Sequence, residues 1–124
     1  MLNIMITGVG GQGTVLAAKL LAQAAEARNW RVRTAETIGM AQRGGSVVSH
    51  VRLANQGESC IDAPLIARGE ADLIIAFEPA EAVRCLGYLR PGGALTRGIQ
   101  RRAILGLPEA GRSRLPARRR CCAH

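Results

Sequence analysis

The sequence predicts an α/β domain built on a mostly parallel but mixed sheet. Short apolar runs alternate with segments of helical periodicity, and short links rich in glycine or containing proline separate them. The chain has 124 residues, of which 48% are hydrophobic and only 2% aromatic. This length suits one small domain, and the composition predicts an aliphatic core.

The first two elements are a buried strand and the helix that follows it. Residues 2–7 are rich in isoleucine and end at a glycine, a pattern typical of a parallel strand covered on both faces. Residues 14–28 have helical periodicity, with Leu16, Leu20 and Ala24 four residues apart. We therefore expect these three side chains, together with Leu21 and Ala25 beside them, to form the buried stripe of the helix.

The remaining elements continue the alternation. Further strands are predicted at residues 31–37, 46–53 and 72–77, and a fifth begins at Ala94 after a tight turn at residues 91–93. Residues 58–62 are expected to return antiparallel to the third strand, which makes the sheet mixed. Pro79 opens a second helix that extends to about residue 87. Strand–helix–strand links of this kind form right-handed crossovers in a mostly parallel sheet.

The chain changes character after Thr96. Residues 1–96 carry nine basic and eight acidic side chains, whereas residues 97–124 carry eight arginines and one acidic side chain. The formal net charge of +8 therefore comes almost wholly from the C-terminal segment. We assign residues 97–124 to an arginine-rich tail that is predicted to be disordered. We expect residues 1–96 to form an α/β domain that is incomplete at its C-terminal end.

Three origins of the tail remain open. It is consistent with a reading frame lost near residue 97, because GC-rich codons read out of phase yield Arg, Ala, Gly and Pro with little lysine. It is also consistent with a solvated tail, or with a basic arm for a nucleic acid or an acidic lipid. No aromatic residue lies among its arginines for base stacking. We predict neither a nucleic-acid partner nor a membrane partner.

No residue pattern indicates catalysis or metal binding by this chain. The four cysteines have no CxxC spacing, and Cys60 and Cys85 are expected to be small core residues. His50, inside the third strand, is expected to be structural, and Glu78 and Glu81 are expected to interact with the dipole of the second helix. No apolar run is long enough to cross a membrane, and the N-terminus lacks the basic segment of a secretory signal. We therefore predict a cytoplasmic protein.

A glycine-rich loop, the first loop, joins the first strand to the first helix. It matches G-x-G-x-x-G, in which glycines permit a tight turn and the helix N-terminus presents N–H groups to an anion. Its candidate ligand or interface residues are Gly8, Gly10, Gly11, Gln12, Gly13 and Thr14. Glu36, at the end of the second strand, lies at the spacing of a carboxylate that binds an adenosine ribose. Nucleotide binding and turn formation alone both remain open, and the absence of lysine before Thr14 excludes a P-loop.

A second glycine-rich loop, the second loop, follows the second strand, so both loops should lie at the carboxyl edge of the sheet. Its candidate ligand or interface residues are Glu36, Gly39, Met40, Gln42, Arg43, Gly44, Gly45 and Ser46. The Arg43 guanidinium is suited to holding a carboxylate or a phosphate. Because glycines raise the entropic cost of ordering a loop, we expect a ligand or a partner protein to order it. The other interpretation is a surface loop that binds nothing.

Taken together, the two loops resemble a known family. Residues 8–13 and 39–47, in this order, are similar to the gamma domain of the 2-oxoacid:acceptor oxidoreductases, which include the pyruvate and ketoisovalerate ferredoxin oxidoreductases. Shorter segments between residues 64 and 93 also fit, and the resemblance covers residues 2–96. Within the family the pattern is most similar to the beta subunits of indolepyruvate ferredoxin oxidoreductases. Family members continue with further strands and helices, where this chain has its arginine-rich tail.

The resemblance implies a three-layer, Rossmann-like α/β domain within a multisubunit enzyme. Such an enzyme decarboxylates a 2-oxoacid oxidatively, passes electrons to ferredoxin and forms an acyl-CoA. The resemblance also implies that this chain binds no cofactor and is inactive alone. Thiamine diphosphate, iron–sulfur clusters and coenzyme A would then belong to the whole complex, with its larger oxidoreductase subunits. The alternative is a free-standing nucleotide-binding Rossmann-like module, which has no need of the second loop.

Overall fold

The computed structural model describes residues 1–39, 45–58 and 60–97. In these ranges the chain forms β1 (Leu2–Val9), α1 (Thr14–Glu26), β2 (Arg31–Ile38), β3 (Ser46–Ala54), β4 (Ala71–Ala76), α2 (Pro79–Cys85) and β5 (Leu89–Arg97). Five of the six predicted strands and both predicted helices are present, with some ends shifted. None of the helices in the described ranges has the length and apolar character that crossing a membrane requires.

Local signals explain where the helices begin and end. Gly13, in the left-handed conformation, is the N-cap of α1, and Pro79 occupies the first turn of α2, where no N–H is needed. α1 ends two residues before its predicted end, because Asn29 adopts a positive φ of 59° and the Trp30 N–H donates to the Ala25 carbonyl at 3.1 Å. α2 ends at Cys85 and continues as the 3-10 turn Leu86–Tyr88.

The strands form one mixed sheet in the order β2-β3-β1-β4-β5. β4 is parallel to β1 and β5 is parallel to β4, whereas β3 is antiparallel to both β1 and β2. Four of the five strands therefore end at one carboxyl edge, and the predicted mixed sheet is confirmed. The predicted antiparallel arm at residues 58–62 is wrong, since the described residues there form no strand. The antiparallel strand of the sheet is β3 itself. It pairs with β1 on one side and with β2 on the other, so no further strand can pair with it.

Helices cover the sheet on both faces and make three layers. Ile4 and Ile6 of β1 pack with Ala18 of α1 in one core. Met5 lies between them in sequence and packs with Cys85 of α2 in the other core. Successive side chains of a strand point to opposite faces, so β1 contributes to both cores. This arrangement confirms the three-layer α/β architecture.

The buried face of α1 matches the predicted stripe only at Ala25, which is buried, and at Leu21, which is partly buried. Leu16 and Leu20 are 61% and 58% exposed, and Ala24 is exposed as well. The buried side chains of the helix are Thr14, Ala18 and Ala25. Apolar residues occupy most positions around α1, so periodicity alone does not select one face. Packing favours the face with small side chains, which lets the helix lie close to the sheet.

β5 begins at Leu89 rather than at Ala94, and the predicted turn at residues 91–93 lies inside it. An edge strand tolerates proline, because the missing N–H need not face a neighbouring strand. The register with β4 shifts after Ala71, and Gly92 has a φ of 80°, as expected of a bulge. Arg97, predicted to open the tail, is the last residue of β5. The rest of the predicted tail, residues 98–124, lies outside the described residues, so its disorder stays a prediction.

Candidate functional site

The first loop turns the chain sharply from β1 into α1. Gly11 and Gly13 have φ angles of 88° and 83°, which favour glycine, and the Gln12 N–H donates to the Val9 carbonyl at 3.2 Å. Within the described residues, α1 has neither a side-chain N-cap nor an acidic residue in its first turn. Its first N–H groups are therefore available to a ligand or partner. Thr14, a predicted site residue, is only 3% exposed, so its side chain belongs to the core.

The described ends of the second loop lie at the carboxyl edge of the sheet, and its C-terminal end contacts the first loop. β2 ends at Ile38 and β3 begins at Ser46, so the loop leaves and re-enters the sheet at this edge. The Gly10 N–H donates to the Gly45 carbonyl at 3.1 Å, and the Gly39 N–H donates to the Ser46 carbonyl at 2.8 Å. The ends of the second loop are thus adjacent to the first loop. Outside the described residues lie four of its predicted members, Met40, Gln42, Arg43 and Gly44.

The link from β4 to α2 is a third segment at this edge. The Gln12 side chain turns back over the first loop, where its Oε1 accepts the Val9 N–H at 2.9 Å and its Nε2 donates to Glu78 Oε2 at 3.3 Å. The Phe77 N–H donates to the Thr7 carbonyl at 2.8 Å, which holds the link against β1. The sequence alone does not place Glu78 at this edge beside Gln12, because the pairing of β1 with β4 joins residues far apart in the chain.

The carboxyl ends of β1 and β4 form a topological switch point. These strands are adjacent and parallel, yet α1 follows β1 onto one face and α2 follows β4 onto the other. Open α/β sheets bind ligands where successive connections diverge in this way. The first loop and Glu78 lie on the two sides of this point and meet through Gln12. The geometry therefore places the candidate site here.

Glu36 does not lie beside the first loop. β3 separates β2 from β1, so Glu36 lies two strands from β1, about 10 Å across the sheet. Its register partner on β3 is Ser49, which pairs in turn with Ile6. The Glu36 side chain instead lines a small groove between α1 and β2, with Lys19 and Gln23. In the dinucleotide-binding order β2 adjoins β1, so this strand order argues against a ribose held by Glu36 and the first loop together.

His50 is a buried structural histidine, as predicted. It is 5% exposed, and its Nδ1 accepts the Ile66 N–H at 3.2 Å. Its ring meets that of Tyr88 edge to face, with centroids 6.4 Å apart. Burial lowers the pKa of His50 from its ordinary value of 6.5, because desolvation disfavours the imidazolium. The neutral ring anchors the segment that leads from β3 to β4.

Acidification is expected to destabilise the fold through His50. Its pKa is lower in the folded state than in the unfolded state, where it is about 6.5. Its contribution to the free energy of unfolding is therefore complete above that pH and is lost as the pH falls toward and through the folded-state pKa. Urea denaturation at a series of pH values measures the loss. His50→Asn places an amide oxygen at the position of Nδ1, so it keeps the acceptor without titrating and should flatten this part of the profile. An unchanged slope would contradict the assignment.

The described residues offer no cluster of three or more side chains that could hold a metal ion. Cys85 is buried, as predicted, and burial raises the pKa of its thiol. Cys60, also predicted to be buried, is exposed beside Arg31, because the chain turns inward only at the next residue, Ile61. Cys121 and Cys122 lie outside the described residues, so the lack of a redox centre in this chain stays a prediction.

Comparison with known proteins identifies the family. The family model described as pyruvate ferredoxin/flavodoxin oxidoreductase matches residues 3–101. The chain belongs to this family. The matched segment of this pyruvate ferredoxin/flavodoxin oxidoreductase domain contains both loops and extends from β1 past the end of β5.

Relatives of this pyruvate ferredoxin/flavodoxin oxidoreductase domain include a subunit of an indolepyruvate oxidoreductase, the type of protein that the two loops resemble. Indolepyruvate oxidoreductase subunit IorB of Thermococcus kodakarensis is 50% identical over 91 residues, which cover 73% of this chain and 43% of that protein. The chain therefore spans less than half the length of this relative. The resemblance to the family inferred from the two loops is confirmed.

Solved structures share the fold of this pyruvate ferredoxin/flavodoxin oxidoreductase domain. The gamma subunit of a keto/oxoacid ferredoxin oxidoreductase from Geobacter sulfurreducens matches with a TM-score of 0.61 and 24% identity, over 78% of this chain and 50% of that one. A 2-oxoglutarate:ferredoxin oxidoreductase from Magnetococcus marinus matches with a TM-score of 0.66 and 22% identity, over 94% of this chain and 18% of that one. These matches confirm the predicted Rossmann-like α/β fold.

Proposed function

We propose that this chain is a gamma-type subunit of a cytoplasmic 2-oxoacid:ferredoxin oxidoreductase and docks onto a larger subunit through the carboxyl edge of its sheet. The enzyme would decarboxylate a 2-oxoacid such as indolepyruvate, pyruvate or ketoisovalerate, reduce ferredoxin and form the acyl-CoA. The main support for this docking site is the contact between the two loops at this edge, where the Gly10 N–H donates to the Gly45 carbonyl at 3.1 Å. Family membership and the relatives of this chain support the reaction.

The chemistry of the described edge supports a binding role rather than a catalytic one. The first loop offers glycine backbone, the amide of Gln12 and the first N–H groups of α1, and Glu78 adds one carboxylate. Glycines allow another chain to approach the backbone closely, and helix N–H groups bind carbonyl or carboxylate oxygens. We therefore assign thiamine diphosphate, the iron–sulfur clusters and coenzyme A to other parts of the complex. These cofactors supply carbanion stabilisation, electron transfer and acyl transfer there.

Reconstitution of the complex tests the proposed function. The full chain is coexpressed with the large subunit of an indolepyruvate oxidoreductase, and the affinity-purified complex is assayed for 2-oxoacid-dependent reduction of ferredoxin. We expect the two chains to purify together and the activity to depend on this chain. A large subunit that purifies alone and reduces ferredoxin equally well would contradict the proposal.

Arg43 is expected to contribute to the same surface. It lies outside the described residues, but both ends of its loop are held at the carboxyl edge. Arg43→Ala should weaken assembly or reduce activity by about tenfold, the effect of losing one charge-assisted hydrogen bond, without lowering the melting temperature. Arg28→Ala, at an exposed position two residues after α1 ends, is the matched control and should leave both unchanged. Equal activity of the Arg43→Ala complex and the unmodified complex would refute this role.

A free-standing nucleotide-binding module is the second candidate, favoured only by the first loop. The strand order argues against it, because β3 lies between the first loop and Glu36. We therefore expect no useful binding of NAD or NADP by this chain. Calorimetric titration of the full chain with either nucleotide measures this directly. Micromolar affinity would favour the module over the subunit.

A further inference from the structure

The side chain of Gln12 joins three parts of the candidate site. Its Oε1 accepts the Val9 N–H at 2.9 Å, and its Nε2 donates to Glu78 Oε2 at 3.3 Å. The first bond closes the loop on the end of β1, and the second spans the switch point to the start of α2. We call these two hydrogen bonds the Gln12 clasp.

Backbone geometry determines the orientation of this amide. The Val9 N–H can only donate, so the Gln12 oxygen must face it and the amide NH2 must face the carboxylate of Glu78. Gly8 leaves room for the side chain to fold back, since a Cβ at Gly8 would lie 2.6 Å from Gln12 Oε1. Gly8 therefore provides the space in which the Gln12 side chain folds back to Val9.

The side chain of Glu78 does not cap α2 through a hydrogen bond, although Glu78 is the N-cap residue by position. The acidic residue in the first turn is Glu81, which is 5% exposed and forms an ion pair with Arg84 at 3.3 Å. The helix thus has a carboxylate near its N-terminus without Glu78, whose side chain is directed to Gln12 instead.

We propose that Gln12 and Glu78 are positioning residues, which close the switch point between β1 and β4 and hold the first loop in the shape presented to the partner subunit. This inference rests on the proposed function, because the surface that the clasp organises is the proposed docking edge. The clasp replaces loop disorder with a preformed surface, so binding does not have to supply the ordering free energy.

Exchanging the two functional groups tests the clasp. Gln12→Glu places two carboxylates against each other, and their repulsion should open the clasp. Glu78→Gln leaves an amide oxygen that can accept from Gln12 and should have a mild effect. In the double variant Gln12→Glu/Glu78→Gln, the carboxylate introduced at position 12 can accept both the Val9 N–H and the new amide, and should close the clasp again.

Two measurements follow these variants. In the full chain alone, exchange of the Val9 amide proton should accelerate in Gln12→Glu and return to the original rate in the double variant. In the complex, affinity for the large subunit should fall by about tenfold in Gln12→Glu, the loss expected for one hydrogen bond to a charged group, and should recover in the double variant. The melting temperature should fall by no more than a few degrees in Gln12→Glu, whereas a purely structural role predicts a large fall with unaltered affinity.

Matched controls separate the clasp from charge alone. Gln23→Glu adds the same charge on an exposed part of α1 and should be neutral. Gln12→Glu/Glu26→Gln has the net charge of the double variant without the complementary pair, and should not recover affinity. Recovery in this control, or an unchanged Val9 exchange rate in Gln12→Glu, would overturn the inference. Accelerated exchange of the Val9 amide proton with unaltered affinity for the large subunit would also overturn the inference. The proposed function would still stand in that case, provided that the unmodified chains assemble.

Discussion

Replacing Ile6 by alanine is expected to lower the free energy of unfolding by about 2–5 kcal/mol. Ile6 lies in the central strand β1, is 1% exposed and packs in the core beneath α1. Alanine would leave a cavity between the sheet and the helix that the surrounding strands cannot fill. Leu20→Ala on α1 is the matched control and should cost less than about 1 kcal/mol, because Leu20 is 58% exposed.

Urea denaturation of the full chain measures both values. If the Ile6→Ala variant does not fold, Ile6→Val gives a graded version with an expected loss of about 0.5–1.5 kcal/mol. A larger loss for Leu20→Ala than for Ile6→Ala would show that the helix buries the stripe predicted from its periodicity. It would contradict the packing described above.

Gly8→Ala is expected to lower the free energy of unfolding by about 1–3 kcal/mol, as overpacked sites do. The added Cβ would lie 2.6 Å from Gln12 Oε1, 2.8 Å from Thr14 Cγ2 and 3.3 Å from Phe77 Cβ. Gln12 can move, but it would then lose its bond to the Val9 N–H. Thr14 is buried and has little freedom to move. The substitution should therefore weaken the fold and open the Gln12 clasp together.

Gly10→Ala provides the comparison within the same motif. No heavy atom of the described residues lies within 4 Å of a Cβ built at Gly10, and its φ is not positive. Its stability should change by no more than about 0.5 kcal/mol. Partner binding is the relevant measurement at Gly10, since its N–H joins the two loops. Equal destabilisation by both substitutions would show that the motif glycines act only through turn formation.

Part of the candidate site could be predicted from the sequence. Both loops follow strands, and strands of one direction end at one edge, so the position of both loops at the carboxyl edge required no tertiary information. The role of Glu36 could not be predicted in this way. Its spacing from the first loop fits a dinucleotide site, but spacing along the chain does not reveal that β3 lies between β2 and β1. The contact of Gln12 with Glu78 also depends on strand pairing.

Local signals in the amino-acid sequence account for most of the helices and strands of this protein. Isoleucine-rich runs, Gly13 before α1 and Pro79 at the start of α2 act within a few residues, so local physical chemistry decides them. The folded chain alone shows which strands pair, which face of α1 is buried and why Pro91 is tolerated inside β5. Those outcomes depend on packing between distant segments. A helix rich in alanine and leucine can bury more than one of its faces, and packing against its neighbours selects one. A proline such as Pro91 fits either a turn or an edge strand, and the position of the strand in the sheet selects between them.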